Sequence, residues 1–363
     1  MYRNLKISSY QLFALLSGFM IGSTLIISPA SAAKNEAWLA FLLGAVGGTG
    51  LLCMYVWIAG LNPSCTLIEM LKKRFGKVLG SVFSILYIWY FFHLAALVLR
   101  NFGEYSLATA YPETPILFVI ICFALIIVLA VRSGIEVMGR MSEVFAVLLV
   151  LVLAFVFLAL ITEFDIDNFK PFMAQGIKPV IKTAFETLAF PFGETVTFLM
   201  VFKHTNKQKK LFKASLFSIL FVSVLLLSAI VRNLMVLGAD MVSREVFPSH
   251  IVFRLIPGLD VDPLLDVNLT VAGVIKVGIC IYAAATGITE LIKLDDYKPF
   301  VLPLVAFAVS LSIWIYGSFM EMVQWAIEVW PYYSIPFQIV IPFILLIFSL
   351  IKNKRASGNA INK

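Results

Sequence analysis

The chain has 363 residues, of which 61% are hydrophobic and 13% charged, and its mean hydropathy is +0.97. Globular proteins run near about 45–50% apolar and about 25% charged, so a soluble domain is excluded. A disordered chain, which needs low hydrophobicity and high charge, is excluded too, and what remains is a membrane protein with several crossings.

A bilayer core about 30 Å thick takes about 20 apolar residues per helix. Ten stretches qualify, near 10–32, 37–61, 78–100, 115–131, 141–161, 179–201, 211–237, 268–291, 299–318 and 335–351. A β-barrel would read as alternating segments of about ten residues, and these runs do not alternate. The expected fold is an all-α membrane protein with ten transmembrane helices in one domain over 1–363. The first stretch follows Arg3 and Lys6 and holds Ala30-Ser31-Ala32, which looks like a signal-peptide cleavage site. It is long enough to span, and removing it would spoil the charge alternation, so it is read as helix 1.

Orientation follows from Lys and Arg placement. With both termini on the cytoplasmic side, 19 of the 28 basic residues fall inside, eight fall outside, and Lys276 lies within the membrane. The acids go the other way, so the net +7 belongs to the cytoplasmic face. Attraction to anionic lipid follows, and no nucleic acid is needed to explain it. Cys53, Cys65, Cys122 and Cys280 show no metal or redox spacing, so no metal or cofactor is expected. No nucleophile–base constellation appears, and His93, His204 and His250 are scattered, so no enzyme is expected.

Ten spans with both ends inside divide into two sets of five with opposite orientation, an inverted repeat. In transporters such repeats place the binding site near the midplane on interrupted helices. Helix 1 reads Gly18-Phe19-Met20-Ile21-Gly22-Ser23-Thr24-Leu25-Ile26-Ile27-Ser28-Pro29, and helix 6 reads Glu186-Thr187-Leu188-Ala189-Phe190-Pro191-Phe192-Gly193-Glu194-Thr195. Proline removes a backbone donor and glycine tolerates unusual dihedrals. Both helices are expected to break there.

These residues carry a resemblance. Ile21-Gly22-Ser23-Thr24-Leu25-Ile26-Ile27-Ser28-Pro29 resembles the first-helix motif of the amino acid–polyamine–organocation superfamily, with Thr24 where a second glycine is usual. The loop Arg132-Ser133-Gly134-Ile135-Glu136-Val137-Met138-Gly139-Arg140, with Phe190-Pro191-Phe192-Gly193-Glu194 and the ten-span length, resembles the B subunit of bacterial spore germinant receptors. The resemblance implies a LeuT-like fold in the inner spore membrane, with A and C subunits as partners. It also implies a small nutrient ligand, often an amino acid, whose binding starts germination.

A zwitterion needs fixed partners for both charges, because an unpaired polar group in a dry site costs several kcal/mol. Half-helix N–H groups favour a carboxylate and half-helix C=O groups a cation. Gly22, Ser23 and Thr24 are the candidates for the carboxylate, and Phe190, Pro191, Phe192 and Gly193 for the remainder. Glu194 either stabilises the break or binds an ammonium or a proton. Glu186 either lines the entrance or pairs with Lys182. Lys276 is expected to face the bundle interior and pair, with Glu186 or Glu194, or to stand in for a sodium ion as in relatives of this fold. His93 is a packed residue or a pocket-lining one, and Tyr282 and Thr286 are pocket-lining or bonded between helices. Glu136 is expected to pair with Arg140 on a short helix, as a latch or a docking surface. Three functions compete: a nutrient sensor, an amino acid permease and a release channel.

Overall fold

The computed structural model describes residues 6–24, 26–27, 30–256, 258–259 and 261–361, without the side chains beyond 352. Leu25, Ser28 and Pro29 of the helix-1 motif lie outside the described residues, as do Arg3, Asp260 and Lys363; so do the side chains of Lys354 and Arg355. The described residues are nearly all helical, and they contain no strand beyond one isolated bridge between Ile7 and Thr205.

In chain order the α-helices are α1 (Ser9–Ile21), α2 (Ala37–Leu61), α3 (Leu67–Phe75), α4 (Lys77–Thr109), α5 (Ile116–Ser133), α6 (Ile135–Ala159), α7 (Ile177–Thr187), α8 (Leu211–Leu237), α9 (Ala239–Arg244), α10 (Pro248–Arg254), α11 (Asp262–Ile292), α12 (Lys298–Trp314), α13 (Phe319–Gln324), α14 (Trp330–Ile335) and α15 (Ile341–Ile361). Seven helical stretches are long and apolar enough to cross a membrane, and α1 and α12 are shorter apolar helices. A count of ten therefore includes α12 and the two interrupted segments.

Local chemistry sets the ends. The Ser8 hydroxyl and the Gln11 side chain form a reciprocal capping box that starts α1. Thr66 and Glu69 do the same for α3. α4 runs past the expected Arg100 to Thr109 because its polar residues there are satisfied. Arg100 pairs with Glu104 at 2.7 Å, one turn on, and donates to the carbonyls of Ser312, Ile313 and Tyr316 at the end of α12. Those are the carbonyls a helix end leaves without partners.

The packing follows the repeat. α11 lies at the centre against α4, α5 and α1. α1 packs on α8 as α7 packs on α2, and α4 packs on α12 as α11 packs on α5. Each pair is the counterpart of the other under exchange of the halves.

The motif loop is the tight connection from α5 to α6. Gly134 turns there with φ of 99°, a conformation glycine adopts without strain. Glu136 lies in the first turn of the long α6, not on a short helix. Its Oε1 accepts from the Lys6 N–H at 2.9 Å, and no ion pair with Arg140 occurs among the described residues. The residues just before α1 are held further by the Ile7 N–H donating to the His204 carbonyl at 2.9 Å, and the Asn206 N–H donating to that of Ile7 at 3.0 Å. The motif therefore anchors the foot of α1.

Candidate functional site

Both expected interruptions are present. α1 stops at Ile21 and the chain turns through Gly22, Ser23 and Thr24. The Thr24 hydroxyl donates to the carbonyls of Met20 at 3.1 Å and Ile21 at 3.0 Å, closing the helix end. In the other half, α7 gives way to a wide turn over Leu188–Phe192, in which Phe190 is extended (φ −134°, ψ 117°), and then to a tight 3-10 segment, Gly193–Met200.

A buried charge cluster joins the two breaks. Lys276 of α11 lies 2.6 Å from Glu194 Oε2 and donates to Ser23 Oγ at 2.8 Å. Its ammonium stands 4.7 Å from the centre of the Phe190 ring. Lys276, Glu194 and Ser23 are all buried. Burying a charge is tolerable only when it is paired and hydrogen-bonded, and Lys276 meets both conditions, paired with Glu194 and donating to Ser23. Gly22 makes the approach possible, because a Cβ at that position would sit 2.6 Å from Lys276 Cβ.

A cavity of about 70 Å³ opens beside this cluster, walled by Ser23, Asn101, Glu186, Phe190, Glu194 and Trp330 among others. A water needs about 10–15 Å³ of such space, so the cavity has room for several waters or a small solute.

The expected residues separate into groups. Ser23, Phe190, Glu186 and Glu194 line the cavity, and Lys276 stands behind them. Lys276 pairs with Glu194, not with Glu186, which lies 3.8 Å from Lys182. Gly22 and Thr24 shape the turn. Phe192 does not reach the cavity: it is buried against Phe41, over Gly48. Pro191 is buried beside it and is not a wall residue. Gly193 makes room for Gln338, whose Oε1 would lie 2.0 Å from an added Cβ. His93 packs behind the wall, stacked on Trp89 and edge-on to Trp325 and Tyr333. Tyr282 and Thr286 line a separate cavity of about 650 Å³, with Lys203, His204 and Glu290. They lie six and ten residues along α11 from Lys276, about 9 and 15 Å at 1.5 Å per residue, too far to share its site.

Sequence reasoning missed the support of the second break. Gln338 donates to the Ala189 carbonyl and to the Tyr90 hydroxyl, both at 3.0 Å. The Tyr55 hydroxyl bonds the Gly193 carbonyl at 3.2 Å and the Gln338 carbonyl at 2.6 Å. Carbonyls freed by a broken helix must find partners within the protein, and these side chains supply them. A lone glutamine two residues after Pro336 in an apolar run was the available signal. Asn101, Trp325 and Trp330 were missed because they fall outside the expected spans.

Comparison with known proteins places this architecture. The family described as Spore germination protein matches residues 6–321. The chain belongs to the spore germination protein family. Spore germination protein KB of Bacillus subtilis (strain 168) is 34% identical over 361 residues, covering 96% of each chain. Putative spore germination protein YfkT of the same organism is 24% identical, covering 97% of this chain and 98% of that one. Among solved structures, a substrate-bound, outward-open Na+-coupled sialic acid symporter aligns with a TM-score of 0.65 at 13% identity, over 90% of this chain and 80% of that one. MhsT in complex with L-phenylalanine aligns with a TM-score of 0.62 at 12% identity, over 96% and 99%. These likenesses establish a LeuT-like transporter fold for this member of the germination family, and at such identity they establish the fold alone.

Proposed function

We propose that this chain is the nutrient-binding subunit of a spore germinant receptor, and that the ligand occupies the cavity between the two interrupted segments. The observation that carries the reading is the buried Ser23–Lys276–Glu194 cluster, which bridges both breaks at the edge of a solute-sized space. Family membership supplies the germination context. In this reading ten segments cross the inner spore membrane with both termini on the core side, and the ligand is a small nutrient, an amino acid foremost. A ligand shifts a conformational equilibrium only through unequal affinity for two states. Here a bound zwitterion competes for the groups that hold Ser23, Lys276 and Glu194 together. The change in the bundle is read by the A and C subunits, and the chain itself performs no catalytic step.

A permease reading draws on a different observation, the second cavity of about 650 Å³ lined by Tyr282 and Glu290. With the first cavity it would give a solute a route past Lys276. Two experiments separate the readings. Deleting the gene and scoring spores against single nutrients should abolish the response to one nutrient or a few. Vesicles carrying the chain alone should bind that nutrient without accumulating it. An unchanged response to every nutrient overturns the sensing role, and net uptake favours the permease.

A further inference from the structure

Resting on that reading of the cavity, we infer that the site takes an ammonium-bearing solute with Glu186 as its counter-ion, and that Lys182 is a built-in competitor for that carboxylate. The charges on the cavity wall do not balance from within. Glu186 and Glu194 both line it. Lys276 is committed to Glu194 and Ser23, at 2.6 and 2.8 Å. The cation nearest Glu186 among the described residues is Lys182, at 3.8 Å and 63% exposed. That separation is too long for a good hydrogen bond, and with the lysine this exposed the attraction is screened by water. Glu186 is itself only 13% exposed.

The rest of the wall suits the same ligand. Phe190, Trp325 and Trp330 are among the residues that line the cavity, and an ammonium against an aromatic face gains attraction that grows when water is excluded. The indole N–H of Trp330 is buried, with no hydrogen-bond partner among the described residues. The chemistry called for is a positive amine on a body small enough for about 70 Å³.

The test uses the full-length chain in lipid nanodiscs, with unfolding midpoints measured against four probes. These are L-alanine, ethylamine (the amine alone), propionate (the carboxylate alone) and potassium chloride (an inorganic cation). L-alanine and ethylamine should stabilise the chain, and propionate and potassium should not. Glu186→Gln should raise the half-saturating amine concentration about tenfold or more, whereas Lys182→Gln should lower it several-fold. If Glu186 serves only to hold Lys182, both substitutions break the same pair and move the midpoint and the amine response in the same direction. That result overturns the inference, as does stabilisation by propionate or potassium alone, or none by ethylamine. If spores lacking the chain lose a nutrient response while the two variants behave alike, the ammonium site falls and the sensing role stands. If the amine binds as described but deletion leaves every nutrient response intact, the sensing role falls and the ammonium site stands.

Discussion

Lys276 is the residue on which the site turns. Its ammonium answers the buried Glu194 carboxylate and the Ser23 hydroxyl together. Lys276→Ala would leave Glu194 buried without its cation, and removing one partner of a buried pair costs about 3–5 kcal/mol. Expression level and unfolding midpoint should both drop. The double substitution Lys276→Met with Glu194→Gln removes both charges and should recover most of the loss, because a neutral pair can replace a buried ionic one at little cost. The midpoints of the two single variants and the double variant check this. An intramembrane lysine was visible in the sequence as an oddity that had to pair. Its choice between Glu186 and Glu194 was not, because the two acids lie on opposite sides of a break whose geometry is set by tertiary contacts.

Among the elements, the second break depends on one side chain from another segment. Gln338 satisfies the Ala189 carbonyl and bonds Tyr90. Gln338→Met keeps the volume and removes the amide, so these groups lose their partner. A buried group left unsatisfied costs about 1–3 kcal/mol, and the unfolding midpoint should fall accordingly. A second element-level test concerns α10. His250 is buried there, with Tyr105, Asp262, Asp266 and Arg254 facing it, and its Nε2 lies 3.9 Å from Asp262 Oδ2. Burial holds the imidazole below its ordinary range, against the opposing pull of Asp262. The folded chain therefore takes up this proton less readily than the unfolded one. Stability should be intact at neutral pH and decline as pH falls below about 6.5, the ordinary histidine value. Midpoints measured across that range should show the decline in the native chain and a flatter profile in His250→Gln. The breaks themselves were legible in the sequence, because Gly22 and the Pro191-Phe192-Gly193 run state a backbone preference locally. The wall of the cavity was not: Asn101, Trp325 and Trp330 reach it only through the way α4 and the segment from α13 to α14 fold over the breaks.

At the scale of the whole molecule, composition alone dictated a membrane bundle, and hydropathy located most of its helices. The paired contacts of α1 with α8 and α7 with α2, and of α4 with α12 and α11 with α5, show the two halves exchanging roles. That symmetry brings two interruptions, far apart in the chain, to one buried lysine. Phe192 shows where local reading stops. It lies inside the motif, yet it fills space against Phe41, not the cavity. In the function proposed above, a nutrient sits in the space beside Ser23, Phe190 and Glu194. Ala326, on the wall of that space, offers a position where bulk can be added while every residue of the charge cluster is kept. The most direct measurement is the nutrient dose–response of spores carrying Ala326→Trp, at a matched level of the protein in the membrane. The response should be lost, or its half-maximal concentration raised about tenfold or more. An unchanged dose–response with the cavity filled would mean that the nutrient binds elsewhere.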